Sequence, residues 1–244
     1  MVTLQEHLSR IGLCTSVYNS LVKIASENST NIFIDETRQS LNFPYVKAVK
    51  SPVKGQPHLL KLRIGNEELT FTELTGYVLF GYRKKLAYDK ERNEVKRRFI
   101  RPEQLEEWEK SYTIVETQDL VIFNPEEEII CIYEGWKTKT NQIKHFIRVT
   151  QEKKLSVPDI FVVIKPELQK NEKGLEFVVP VFSQIEKAEL PEECRKDVEL
   201  IKAHFMWRKG LNKTSPLIPN IELIEDKEIV PSEEPIDDEE EIVF

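Results

Sequence analysis

The run Gly76-Tyr77-Val78-Leu79-Phe80-Gly81-Tyr82-Arg83-Lys84-Lys85-Leu86-Ala87-Tyr88 decides the fold class. It starts apolar on both faces and has no helical period. From Tyr82 it alternates, with Tyr82, Lys84, Leu86 and Tyr88 on one face and Arg83 and Lys85 on the other. The pattern predicts a long strand. Gly76 and Gly81 predict bends or bulges, the device by which a strand turns a barrel corner. The polar loop Asp89-Lys90-Glu91-Arg92-Asn93-Glu94 then returns the chain into Val95–Ile100 and makes a hairpin.

Working outward, Leu60, Leu62 and Ile64 alternate, Gly65-Asn66 supplies a tight turn, and Leu69 and Phe71 resume on the other side. On the far side, Pro102 opens a short helix over Glu103–Lys110, with Leu105 and Trp108 three residues apart. Further strands are expected at Leu120–Phe123, Ile129–Tyr133, Ile143–Val149, Ile160–Lys165 and Leu175–Phe182, with turns at Asn124-Pro125 and Lys173-Gly174. Many short strands at this spacing predict a closed barrel or sandwich.

Helical texture brackets the β region. Leu4, Leu8, Ile11, Val17, Leu21 and Ile24 stand near helical spacing, Gly12 favours two short helices as much as one, and Glu27–Asn31 closes the segment. Leu190–Gly210 reads as helix, with Pro191, Glu192 and Glu193 in its first turn, Arg208 and Lys209 in its last, and Gly210 just past its end. Beyond it, Pro216, Pro219, Pro231 and Pro235 stand among acids, and 212–244 is expected to be disordered. The expected organisation is a helical segment at 1–30, a β-barrel at 31–187, a helix at 188–211 and an acidic tail at 212–244. The fold class is thus mainly β (α+β), a barrel core with flanking helices.

With 244 residues, 40% hydrophobic and 32% charged, the composition fits a soluble globular protein. No apolar run approaches the ~20 residues of a membrane helix, so no membrane partner is expected. Glu6, His7 and Arg10 stand where a secretory signal would be apolar. Cys14, Cys131 and Cys194 are far apart and form no CxxC, so neither a disulfide scaffold nor a zinc module is expected, and a reducing, cytoplasmic setting fits best.

The net charge of −7 conceals an asymmetry. Glu222–Phe244 holds eleven acids and one base, a net of −10, while the preceding residues sum to +3. Within the mildly basic body, Arg83–Arg101 carries nine bases against Asp89, Glu91 and Glu94, a net of +6 on one hairpin. Tyr77, Phe80, Tyr82, Tyr88 and Phe99 interleave it. Cations that track phosphates beside rings that stack bases are what sequence-tolerant binding of a single strand requires. A solvated hairpin whose aromatics pack the barrel would show the same residues. A second cluster comes at Gly135-Trp136-Lys137-Thr138-Lys139-Thr140, with Lys144, His145, Phe146 and Arg148; Trp136 there is either a stacking platform or a cap on the barrel end. The expected phosphate contacts are Arg83, Lys84, Lys85, Lys96, Arg97, Arg98, Lys137, Lys139 and Arg148; the expected stacking rings are Tyr82, Tyr88, Phe99 and Trp136.

The chain ends Pro235-Ile236-Asp237-Asp238-Glu239-Glu240-Glu241-Ile242-Val243-Phe244. An acidic run closed by an apolar tip, with a ring beside the terminal carboxylate, suits a hydrophobic hole rimmed by Lys and Arg. This ending resembles the acidic, hydrophobically tipped tail of bacterial single-stranded DNA-binding proteins and the Phe-terminated tails of phage equivalents, although Ile242-Val243-Phe244 lacks the bacterial proline. The body is similar to larger phage- and plasmid-type members built on an embellished OB-fold, with Asn42–Lys47 in the place of the early Pro- and Lys-bearing strand and Leu175–Phe182 in that of the late apolar strand. The resemblance implies single-stranded DNA as ligand and an OB-like barrel. It also implies recruitment of replication or repair proteins through Asp237, Asp238, Glu239, Glu240, Glu241, Ile242, Val243 and Phe244. A homo-oligomer is compatible with it. The alternative is a protein-interaction module of a phage or mobile element whose basic hairpin docks protein or RNA.

Catalysis finds little footing. His7, His58, His145 and His204 are scattered, and no phosphate loop or nucleophile elbow is present. Asp159, Glu167 and Lys170 resemble a nuclease core only with a Glu-to-Lys gap of three in place of two, and Asp159 after Pro158 reads better as a turn residue opening a strand. No enzyme activity, cofactor or metal is expected.

Overall fold

The long strand forms where its residues predict it: β4 runs Leu74–Asp89 and pairs antiparallel with three partners. The computed structural model describes residues 4–26, 41–53, 55–64, 67–171 and 174–218. Along one edge β4 pairs with β6 (Thr113–Asn124), and β6 with β7 (Ile129–Tyr133). Along its other edge it pairs with β8 (Ile160–Lys170) at Leu74–Tyr77 and with β5 (Glu94–Arg98) at Leu86–Asp89. The outer strand β9 (Glu176–Lys187) pairs with β8. A second antiparallel sheet holds β1 (Lys47–Val49), β2 (Leu59–Ile64) and β3 (Glu67–Phe71) in that order. The fold is mixed α/β with two open sheets. Among the described residues no ladder closes either sheet on itself, so closure into a barrel is not a feature of these ladders.

The larger sheet is nevertheless curled. Tyr133, on the edge strand β7, donates its hydroxyl to the Pro180 carbonyl of the opposite edge strand β9 at 2.5 Å. The sheet is apolar on both faces, as the unbroken runs Leu120–Phe123 and Ile129–Tyr133 require. Leu120, Ile122, Ile129, Cys131 and Tyr133 pack against β2, β8 and β9 in one core. Val121, Phe123, Ile130 and Ile132 face a second core. That second core is closed by α1 (Leu4–Ile11), α2 (Thr15–Ser26) and α5 (Glu192–Arg208), through Leu8, Leu21, Val198 and Phe205. The terminal helices therefore share a core with the strands and form no separate unit.

Four sequence expectations need correction or limits. Ile143–Val149 is not a strand but part of α4 (Thr140–Glu152). Ile143, Phe146, Ile147 and Thr150 recur at helical spacing, and the first two and Thr150 are buried. The register of β4 shifts against β6 between Val78 and Phe80, between the two glycines, and against β5 between Ala87 and Tyr88. Residues 212–218 are ordered: Leu217 and Ile218 are buried, Ser215 Oγ lies 2.8 Å from His204 Nδ1, and His7 Nε2 donates to the Pro216 carbonyl at 3.0 Å. The apolar pair supplies the burial that the average composition of the tail conceals. Helix α5 ends with Gly210 at φ +77°, the Gly210 N–H bonded to Trp207 and the Leu211 N–H to Met206, a Schellman cap that turns the chain into this segment. Glu27–Asn31, the Gly65-Asn66 turn, Lys173, and everything from Pro219 through the apolar tip lie outside the described residues.

Gly76 is required by close packing. A Cβ there would lie 2.7 Å from the Phe123 carbonyl oxygen and 2.8 Å from Ile122 Cγ2, whereas at Gly81 the nearest atom, Leu120 Cδ2, is 3.3 Å away and can move. Gly76→Ala is expected to lower unfolding free energy by roughly 3 kcal/mol, at the upper end of overpacking costs, and Gly81→Ala by less than ~1 kcal/mol. Urea denaturation of both variants checks the contrast; equal losses would contradict it.

Candidate nucleic-acid interface

The β4–β5 hairpin has an inner and an outer face, and they hold different chemistry. On the inner face Lys84 is fully buried, its ammonium 2.6 Å from Asp119 Oδ2 and 2.8 Å from Glu134 Oε1. The β4–β6 register sets the first contact: Tyr82 stands opposite Asp119 and Lys84 opposite Thr117, so Lys84 and Asp119 form a diagonal cross-strand pair. Glu134 lies just past the end of β7 and also accepts a bond from Arg98 of β5 at 3.2 Å. Lys84 reaches the Tyr45 hydroxyl at 3.4 Å, and the Arg98 guanidinium lies 4.4 Å from the centre of the Tyr45 ring. Two cations and two carboxylates thus compensate each other inside the protein, as buried charge requires.

The proton equilibria reflect this packing. Burial would lower the Lys84 ammonium, but the Tyr45 hydroxyl and the Asp119 and Glu134 carboxylates outweigh it and hold it above its ordinary value. Asp119 is raised, chiefly by burial and further by the neighbouring Glu134 carboxylate, which together outweigh the lowering by Lys84. Burial would raise Glu134 as well, but Lys84 and Arg98 together draw it below the ordinary carboxylate range.

Lys84 is therefore an interior ion-pair residue and not a phosphate contact; the alternation that placed it with Tyr82 and Leu86 also placed it inside. Three of the four expected stacking rings are buried too. Tyr82 stacks on Phe99 at 5.9 Å and 10°, with Arg208 4.1 Å from the Phe99 ring centre. Tyr88 is buried and packs edge-on against Trp136 at 4.9 Å. These rings fill the core because they share the inner face with Lys84. Lys139 also turns inward, donating to the Val46 carbonyl at 2.9 Å, and burial lowers its ammonium to about 8.

The outer face keeps its cations at the surface. Arg83 is exposed, 3.6 Å from Glu116; Lys85 is half-buried; Arg97, opposite Ala87 on β5, lies 5.6 Å from the Trp108 ring centre. Lys96 pairs with Glu94, and Arg98 points inward to Glu134. On α4, Arg148 is exposed and contacts His145 Nδ1 at 3.3 Å.

At the hairpin tip the fold joins the two clusters that the sequence separates. Gly135 packs so closely on β6 that a Cβ would lie 2.0 Å from the Gln118 carbonyl, and its N–H donates to Asp119 Oδ1 at 3.2 Å. Trp136 and Lys137 emerge next. Lys137, exposed, donates to the Tyr88 hydroxyl and to Asn93 Oδ1, both at 3.0 Å, and sits 4.5 Å from the ring centres of Tyr88 and half-buried Trp136. The exposed Lys90 and Arg92 of the turn stand beside Asn93 in the chain. Asp119, Glu134 and Tyr45 were not expected as part of this region, and Asn93 only as a residue of the turn. A lone acid where the apolar run Leu120–Phe123 begins, and another just after Ile129–Tyr133, were the available signals.

Asp159 accepts from Arg195 and from the Leu190 N–H at 3.0 Å, a structural role at the start of β8. Among the described residues no group of three His, Cys, Asp or Glu side chains is placed to hold a metal ion, and no helix is long and apolar enough to cross a membrane. No family model, no curated protein and no solved structure matches the chain.

Replacing Lys84 by Met leaves two buried carboxylates without their ammonium and is expected to cost about 3–5 kcal/mol of unfolding free energy, read by urea denaturation. A loss under ~1 kcal/mol would show that the network is not interior. Lys139 gives a pH signature. Between about 8 and the ordinary lysine value near 10.4 the unfolded chain binds the extra proton, so stability contributed by this group rises with pH. The stability difference between the native chain and Lys139→Met is expected to shift in favour of the native chain by on the order of 2 kcal/mol from pH 7.5 to pH 10. A flat difference would contradict the inward placement.

Proposed function

We propose that this protein binds single-stranded DNA with little sequence preference, protecting it during replication, recombination or repair. The observation that carries the reading is the hairpin tip, where half-buried Trp136 lies against Lys137 and edge-on to Tyr88. A partly exposed ring next to a cation offers a base a stacking surface and the adjoining phosphate a counter-charge. A strand stacked on Trp136 that crosses the hairpin turn meets Lys137, Arg92 and Lys90, and then the outer-face cations Arg83, Lys85 and Arg97. Arg148, exposed on α4, would be a further phosphate contact. Tyr82, Tyr88, Phe99, Lys84 and Lys139 support this surface from within and do not touch the strand.

The curled larger sheet, with the second sheet against it, serves in this reading as an OB-like barrel, and the Tyr133–Pro180 contact between its opposite edges supports that comparison. Asp237–Phe244 would recruit replication or repair proteins, acids first and the Ile242-Val243-Phe244 tip as anchor. No bond is made or broken in this function.

The test is fluorescence anisotropy of a labelled ~30-nucleotide single strand against the matching duplex, across a salt series. Salt-sensitive binding of the single strand and weak binding of the duplex are expected. Trp136→Ala should weaken binding about 5- to 150-fold, the range of ~1–3 kcal/mol per stacked base. Lys137→Ala should reduce the salt slope by about one phosphate's worth. If neither the full chain nor a form lacking 235–244 binds a single strand, the reading fails and the basic hairpin is a dock for protein or RNA.

A further inference from the structure

Cys14 and Cys194 are 180 residues apart in sequence, yet their sulfur atoms lie 2.7 Å apart. A disulfide bond is ~2.05 Å long, so the two sulfurs are already far closer than unrelated buried thiols need be. Cys14 sits at the corner between α1 and α2, its carbonyl accepting the Tyr18 N–H at 2.9 Å; Cys194 lies in the first turn of α5. Two further contacts hold the same corner to the same helix. The Cys14 N–H donates to Asp197 Oδ2 at 2.8 Å, and Lys196 donates to the Gly12 carbonyl at 2.7 Å. The approach of the sulfurs is therefore fixed by bonds that do not involve sulfur. Ser16 Oγ lies 3.7 Å from one sulfur and 3.6 Å from the other.

We propose that Cys14 and Cys194 are a covalent modification site, a thiol pair that closes to a reversible intrachain disulfide tying the N-terminal helix pair to α5. The oxidant is a small-molecule disulfide of the glutathione class. The Cys14 thiolate attacks one of its sulfurs, forming a mixed disulfide and releasing one small thiolate, which takes up a proton. Cys194 then gives its proton to solvent, attacks Cys14 Sγ and expels the second small thiol. Two protein thiols lose two electrons and two protons, and one small disulfide becomes two thiols. Cys14 is the first to react because it is the more exposed, at 8% against 2%, and burial pushes the Cys194 thiol up to about 12. Proximity compensates for the scarce Cys194 thiolate in the second step. Cys131, buried in β7, has no part and serves as an internal control. The site is independent of any DNA binding.

The experiment is refolding of the reduced full-length chain in glutathione buffers graded from reducing to oxidising, then acid quench, alkylation, intact mass and peptide mapping. Refolding brings the thiols to the oxidant, so burial cannot hide the reaction. The expected product is about 2 Da lighter, the mass of the two hydrogens lost, with two of the three thiols protected and one peptide pair joining Cys14 to Cys194. Cys131→Ser should keep the product and Cys194→Ser abolish it, and the oxidised form should melt several degrees higher. Three alkylated thiols in the oxidising buffer, links through Cys131, or a persistent glutathione adduct at Cys14 would each overturn the proposal.

Discussion

The buried ammonium of Lys84 is the constraint on which the rest of this structure turns. Without side-chain exposure to water, it depends on Asp119 from β6 and Glu134 from the end of β7. Those two acids in turn need Lys84 and Arg98. Such a cluster adds little net stability over an apolar core of the same volume, but removing any one member leaves an uncompensated charge. Its consequence is positional. It joins β4, β5, β6 and the end of β7, and it sets the path of the chain beyond Glu134. Asp119 also receives the Gly135 N–H, so the chain leaves the sheet at a fixed point and delivers Trp136 and Lys137 to the hairpin tip.

The packing around this cluster explains why so many aromatics are interior. The β4–β6–β7 sheet is covered on one face by α1, α2 and α5, and on the other by the second sheet, β8, β9 and α4. Tyr82 and Phe99 lie where β4 and β5 meet α5, and Phe205 packs against both. Phe99 adopts φ +65°, a conformation that costs a bulky residue energy and persists only where the surroundings fix it. Here the parallel ring of Tyr82 and the Arg208 guanidinium fix it. The conformation lies at the point where the hairpin leaves the sheet for the Pro102 turn, so it sets the direction in which the basic strand ends.

Much of this was legible in the sequence. The alternation in Tyr82–Tyr88, the apolar runs of β6 and β7, and the cap residues of α5 each carry a local physical signal, and each element formed at those residues. The outlying half of β6, Thr113–Asp119, was missed because it is polar and gains its place only by pairing with β4. Ile143–Val149 was misread because an apolar residue at every third or fourth position, over a short window, also alternates in part. The site was less legible than the fold. Parity told that Lys84 and Arg83 face opposite ways, but not which way is out; that depends on the helices stacked on one face and on acids from two other strands, neither of which is a local property. The Cys14–Cys194 approach had no local signal at all, since it depends on how the terminal helices meet.

The division between inner and outer cations changes what the basic hairpin is worth as an electrostatic surface. Its formal +6 counts Lys84 and Arg98, whose charge is consumed by Asp119 and Glu134 from outside the hairpin. What remains is +4, or +3 once Glu116 beside Arg83 is included. The remaining charge is unevenly distributed: the turn Asp89–Glu94 sums to −1, and the surplus lies along Arg83, Lys85, Lys96, Arg97 and Arg101. A polyanion therefore meets a basic outer face and, at the tip, cations interspersed with acids, not a uniformly basic strand, and long-range attraction is correspondingly modest at physiological screening lengths of about 8 Å. In the proposed function, stacking on Trp136 would then carry more of the discrimination between a single strand and a duplex than charge would, because a duplex presents the same phosphates but keeps its base faces covered.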